Sequence, residues 1–173
     1  MSQHRPNAAR KCNPQRRRTP LAIGTLLVII LAFTGCGITI PTDPDGTLGR
    51  VTEGQLRVGI ADNPPRTVDA GEVSGVEVVL VEEFAETIDA DIRWVAGSES
   101  QLIDGLETGK LDIAIAGFTT DSVWADQVAA TRSCMSGTDA AGRTVDYVMF
   151  VPLGENAFLV ELESFLCAKE RAA

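Results

Sequence analysis

Histidine is almost lacking. The 173-residue chain has one, His4, near its start, so the long stretch beyond it cannot build a histidine-based triad or a histidine-rich metal site. Basic charge is scarce there too. Residues 1–35 hold six basic groups and no acidic one, whereas the remaining 138 residues set nine basic groups against 24 acidic ones, a net of −15. A body so acidic is repelled by phosphate backbones, which argues against DNA or RNA as a partner. The glycine-rich signatures G-x-G-x-x-G and G-x-x-x-x-G-K are absent, so nothing supports a phosphate cradle for a nucleotide cofactor. An apolar run long enough to span a bilayer is missing as well. The longest uncharged apolar stretch, Leu21–Phe33, has thirteen residues, against the ~20 a spanning helix needs.

That short run has a second meaning in its context. Arg16-Arg17-Arg18 precedes it, and Thr34-Gly35-Cys36-Gly37 follows. A basic n-region, an apolar h-region and small residues at a cleavage point make a secretory signal. The cysteine at the end of the h-region resembles the bacterial lipobox, which implies lipidation of Cys36 and a mature chain held at the outer face of the cell membrane. An uncleaved signal anchor is the alternative. The expected organisation is a signal peptide over 1–35, a flexible tether over 36–52 rich in proline and glycine, and a folded lobe over 53–173.

In the folded part, apolar periodicity switches repeatedly between strand and helix. Leu56–Ile60 reads as a strand running into the breaker Asn63-Pro64-Pro65. Val76–Ile88 reads as a helix with Val76, Leu80, Phe84 and Ile88 on its inner stripe and Glu82, Glu83 and Glu86 turned away. Ile92–Ala96 is a second strand. Ser98–Thr108 is a second helix with Leu102, Ile103 and Leu106 inward, stopped by Gly109. Leu111–Ala116 is wholly apolar except for Asp112, as a strand covered on both faces must nearly be. Such βαβ units give an α/β fold with an open, mostly parallel sheet and flanking helices. Cys134–Thr144 reads as a polar linker, followed by a strand over Val145–Pro152 and a helix over Glu155–Arg171. Cys134 and Cys167 are either a disulfide pair of an exported protein or two free thiols, and their spacing suggests no metal site.

The segments LRVGIADNPP, SGVEVVLVEEFAETI and LIDGLETGKLDIAIAGFTTD, with the carboxy-terminal DYVMFVPLGENAFLVELESFL, resemble the first lobe of type II periplasmic binding proteins. These are the extracellular solute-binding proteins that serve polar amino-acid ABC transporters. The resemblance implies a binding function with no catalytic residues, no cofactor and no metal. It also implies a second lobe between a motif like Thr131–Cys134 and a strand like Val148–Pro152. Here about a dozen residues stand in its place, so a half-site of weak affinity is expected.

In open parallel sheets ligands bind beyond the carboxyl ends of the strands, which points to Asp62, Asn63, Glu99, Gly117, Phe118, Thr119, Asp121 and Trp124. By resemblance, Asp62, Gly117 and Thr119 fall where the family holds a ligand's amino group. Trp124 falls where it has a carboxylate-gripping arginine, and Glu99 where it has a stacking aromatic. Losing the guanidinium removes the fork that matches a carboxylate. A ring beside Asp62, Glu99 and Asp121 favours a small polar or cationic solute instead. Plainer readings stand beside these: Trp124 as an apolar plug, Glu99 and Asp121 as helix N-terminal acids, and Gly117 as a turn residue. The expected partners are thus a weakly bound solute, the membrane through a lipid anchor, and the permease of an ABC transporter as a candidate. The rival reading is an interaction module on the cell surface that docks a membrane partner and transports nothing.

Overall fold

The structure is a computed structural model that describes residues 43–68, 73–139 and 141–172. Cys36 and the leader lie outside these residues. The elements run α1 (Thr47–Val51), β1 (Gln55–Ile60), α2 (Val76–Thr87), β2 (Asp91–Ala96), α3 (Glu99–Glu107), β3 (Ile113–Ile115), β4 (Ala129–Ala130), β5 (Met135–Thr138), β6 (Thr144–Tyr147), β7 (Phe150–Val151) and α4 (Asn156–Ala172).

Five strands form one sheet in the order β2-β1-β3-β7-β4. β1 is the parallel partner of both β2 and β3, with Val58 opposite Trp94 on one side and Ile113 on the other. β7 returns antiparallel to β3, and β4 pairs antiparallel to β7. The mostly parallel α/β sheet expected from the alternating periodicity is therefore present. Helices cover both faces. Val58, Ile60, Ile113 and Ile115 pack with Val81, Phe84, Phe158 and Leu162 of α2 and α4. Ala114, Ala116 and Phe150 pack with Leu102, Ile103 and Leu106 of α3.

α2 is turned relative to its expected stripe. Val76 is 53% exposed and Leu80 only half-buried, while Glu77, Val78, Val81, Phe84 and Ala85 face inward. Residues 78–81 are all apolar and give no phase, and the true inner face includes a carboxylate that an apolar count passes over.

The expected linker is a hairpin. β5 and β6 pair antiparallel from Met135 opposite Tyr147 to Thr138 opposite Thr144. Asp139 closes the turn, its Oδ1 accepting from the Ala141 and Arg143 amides at 2.9 and 2.8 Å. An exposed two-stranded ribbon needs ladder and turn hydrogen bonds rather than apolar content, so its small polar composition looked like a linker. The expected single strand over Val145–Pro152 divides into β6 and β7 because Val148 and Met149 donate elsewhere, to the Phe118 carbonyl and the Thr131 hydroxyl. Cys134 and Cys167 form a disulfide that joins the hairpin's base to α4, with Cα atoms 4.8 Å apart, inside the range such bridges require.

The far end of the expected tether also differs. Glu155 accepts the Asp45 and Thr47 amides at 2.9 Å each. Asp43 accepts those of Leu48 and Phe158, and Val51 is wholly buried. Residues 43–52 are thus docked onto the body. Burial opposes ionisation of Glu155, but the donated amides outweigh it and hold its pKa below the ordinary value. Close by in sequence, Arg50 reaches Asp112 at 2.5 Å, and Arg57 meets the same carboxylate at 2.6 Å.

Candidate functional site at the carboxyl ends of β1 and β3

Three connections meet at this edge. The first follows β1. Asp62 and Asn63 are exposed, and the Asn63 amide donates to the Ala116 carbonyl at 2.7 Å, tying the β1 loop to the end of β3. The second opens α3. Ser98 caps the helix with Gln101, whose side chain accepts the Ser98 amide at 2.9 Å, the reciprocal arrangement expected of Ser-x-x-Gln. Glu99 thereby projects from the first helical turn and is exposed.

The third leaves β3 through Gly117, Phe118 and Thr119. Gly117 has φ +65°, and a Cβ there would collide with the Asn63 amide, so only glycine fits. Its N–H donates to Glu77 Oε2 at 3.0 Å and is consumed within the protein. Phe118 is 4% exposed, with its ring 4.4 Å from that of Phe150. Its expected place at the ligand edge gives way to a core role. Thr119 donates its hydroxyl to Asp121 at 2.5 Å. That hydrogen bond, with a backbone contribution, holds the exposed Asp121 carboxyl below the usual value. Trp124 packs against the α3 core and donates its indole N–H to Glu99 Oε2 at 3.1 Å.

The edge therefore joins Glu99 with Trp124 and Thr119 with Asp121, while Asn63, Gly117 and Phe118 serve as framework. Among the described residues no group of three His, Cys, Asp or Glu side chains could hold a metal ion. An exposed carboxylate at the edge of an indole ring suits a cation by charge, with the ring's quadrupole adding to it.

Periodicity missed one residue behind this edge. Glu77 is fully buried, its Oε2 accepts the Gly117 amide, and its Oε1 has no partner among the described residues. Burial pushes its pKa up to about 7, against smaller opposing effects from the Gly117 amide and Arg66. An acid opening an otherwise apolar helix run was its signal in the sequence.

A mostly parallel α/β lobe with a polar edge at its strand ends is the architecture of one half of a type II periplasmic binding protein. The chain belongs to the bacterial extracellular solute-binding proteins, family 3, whose family model matches residues 56–167. No curated protein sequence matches it. Among solved structures it is similar to a point mutant of the arginine-bound form of domain 1 from TmArgBP, with 27% identity and a TM-score of 0.61 over 72% of this chain and 98% of that one. It is also similar to the ancestral amino acid-binding protein AncCDT-1, a precursor of cyclohexadienyl dehydratase, with 15% identity, a TM-score of 0.63 and coverage of 72% and 93%. A Salmonella typhimurium periplasmic binding protein of high arginine specificity gives 12% identity, a TM-score of 0.57 and coverage of 68% and 93%. The last two likenesses are of fold alone.

Proposed function

We propose that this chain is a non-enzymatic, extracytoplasmic solute-binding lobe, lipid-anchored through Cys36, that binds small cationic solutes weakly beside an ABC transporter permease. The observation that carries this is the pairing of Trp124 with Glu99 at the strand ends, at the two positions where the resemblance would put an arginine and a stacking aromatic. A carboxylate beside an indole ring attracts an ammonium or guanidinium and repels a free carboxylate. The arginine named for the similar domain 1 structures supports a cationic solute. A hairpin stands where a second lobe would close the cleft, so the ligand stays partly in water, where each ion pair contributes ~0–1 kcal/mol. Affinity on the order of millimolar follows.

Calorimetric titration with arginine, a diamine and glutamate tests this. Weak binding of the first two and none of glutamate is the expected outcome. Micromolar binding of an acidic or neutral amino acid, abolished by Trp124→Ala, would overturn the cation assignment. Silence with all three favours the rival docking module.

A further inference from the structure

A second cavity lies between α2, α4 and the β5–β6 hairpin. It measures about 300 Å³ and is walled by Val76, Leu80, Met135 and Leu166, with Arg66 among its lining residues. The Arg66 backbone is fixed on both sides. Its N–H donates to the Asn63 carbonyl at 2.8 Å, and its carbonyl accepts the Glu77 amide at 3.2 Å. Its guanidinium sits over the Tyr147 ring, with Cζ 3.3 Å from the centroid. Gly137 makes room for it, since any side chain there would collide with Nη2. The guanidinium is thus seated between an aromatic face and the hairpin at Gly137.

Arg66 differs from Arg50, Arg57, Arg132 and Arg143 in that no described carboxylate is bonded to it, although its charge acts on the buried Glu77. Arg50 and Arg57 share Asp112, Arg132 binds Glu163, and Arg143 binds Asp139. Among the described residues the Arg66 guanidinium makes no hydrogen bond and no ion pair. The nearby buried carboxylate, Glu77, gives its bonded oxygen to Gly117 instead. A guanidinium seated on a ring with its N–H groups unspent offers a fork to a carboxylate.

We propose that this cavity is a second ligand site, taking a small monoanion with an apolar body, its carboxylate on Arg66 and its hydrocarbon part against Leu80, Met135 and Leu166. The walls are pre-formed, because the Cys134–Cys167 disulfide ties the hairpin to α4, and a pre-formed, largely apolar cleft with one convergent charge is how such ligands are held. The charges at the mouth limit the ligand. Lys169 is neutralised by Glu83 at 2.9 Å, and Glu170 adds a negative group to the lining, which disfavours polyanions.

Phenylacetate and its neutral isostere phenylacetamide are the probes, titrated into the purified chain and followed by calorimetry and amide chemical shifts. Phenylacetate is expected to bind at least tenfold tighter than the amide, with shifts centred on the hairpin and α4. Arg66→Gln should remove that preference, and Arg66→Lys, which keeps the charge without the fork, should restore it only in part. Equal affinity of acid and amide for the native chain overturns the proposal without any variant, as does an unchanged preference in a folded Arg66→Gln. Competition between phenylacetate and a diamine for one site would also overturn it, since the cavity would not then be separate.

Discussion

The two ends of the sheet treat charge in opposite ways. Below the amino ends of β1 and β3, acids are consumed inside the fold. Asp112 is matched by Arg50, Arg57 and the Arg57 amide, while Glu155 and Asp43 are matched by backbone N–H groups. At the carboxyl ends, Glu99 and Asp121 are exposed and receive neutral donors, an indole N–H for the first and a hydroxyl with a backbone N–H for the second. The first arrangement stabilises the fold and has nothing left to offer a ligand. The second contributes little to stability and keeps its charge available to a solute. Carboxylates bonded into the fold and carboxylates left exposed thus gather at opposite ends of β1 and β3, with the buried Glu77 as the exception behind the exposed end.

Breaking the closed end should have the largest effect. Asp112 is fully buried. Burial by itself would raise its pKa, but hydrogen bonds from Arg57 and Arg50 and the charge of Arg57 more than reverse this, so it stays ionised. Asp112→Ala leaves two guanidiniums and a backbone N–H without their acceptor, at a cost of about 3–5 kcal/mol. Urea unfolding should show this as a lower midpoint, with solute affinity in the remaining folded protein unchanged. Next in size is the disulfide, which spans 33 residues and should contribute about 3–4 kcal/mol by the chain-entropy estimate. Cys134→Ser with Cys167→Ser should lower the unfolding midpoint accordingly, and a double variant as stable as the native chain would show that the bridge adds nothing.

The alternating elements around the sheet were legible because each apolar run has its own period and stop signal. α3 is the clearest, with its Ser98 cap, its Leu102, Ile103 and Leu106 stripe, and Gly109 at φ +64°. The illegible parts are those held by polar groups. The docking of residues 43–52 rests on Asp43 and Glu155, the hairpin on Asp139 and ladder bonds, and the phase of α2 on a buried glutamate. None of these leaves a hydrophobic period. At the candidate site, the sequence put Asp62, Glu99 and Asp121 in the connections that follow the strands, but could not show that Gly117 and Asn63 spend their polar groups internally, or that Phe118 turns into the core. Arg66 was hidden for the same reason, since its place over Tyr147 joins residues 81 positions apart.

Glu77 tests the boundary between the two ends by pH. Its folded pKa is about 7 against an ordinary 4.5, so between those values the native state binds more protons than the unfolded one. Stability must therefore fall as pH rises from about 4.5 to 7 and level off above, by roughly 3 kcal/mol at most. Asp112 works in another window and with the opposite sign, its contribution being lost as pH falls below the ordinary carboxylate value. Denaturant unfolding from pH 5 to 8 should show the decline in the native chain and a flatter profile in Glu77→Gln. An equal decline in both would mean that Glu77 titrates normally.

The smallest effect belongs to the open end, where Glu99→Gln separates charge from shape. Glutamine keeps an oxygen acceptor at nearly the same length, so the Trp124 indole retains its hydrogen bond. Glu99 is exposed, and unfolding should change by no more than ~0.5 kcal/mol. What disappears is one negative charge beside the ring. An exposed ion pair contributes up to ~1 kcal/mol, so affinity for a diamine should fall by a factor of about 2–5 and become less sensitive to salt. Trp124 fluorescence reports this directly. Unchanged or tighter diamine binding in Glu99→Gln would remove the electrostatic basis for a cationic solute. A loss of stability as large as that of Asp112→Ala would show that this end, too, is held by its charges.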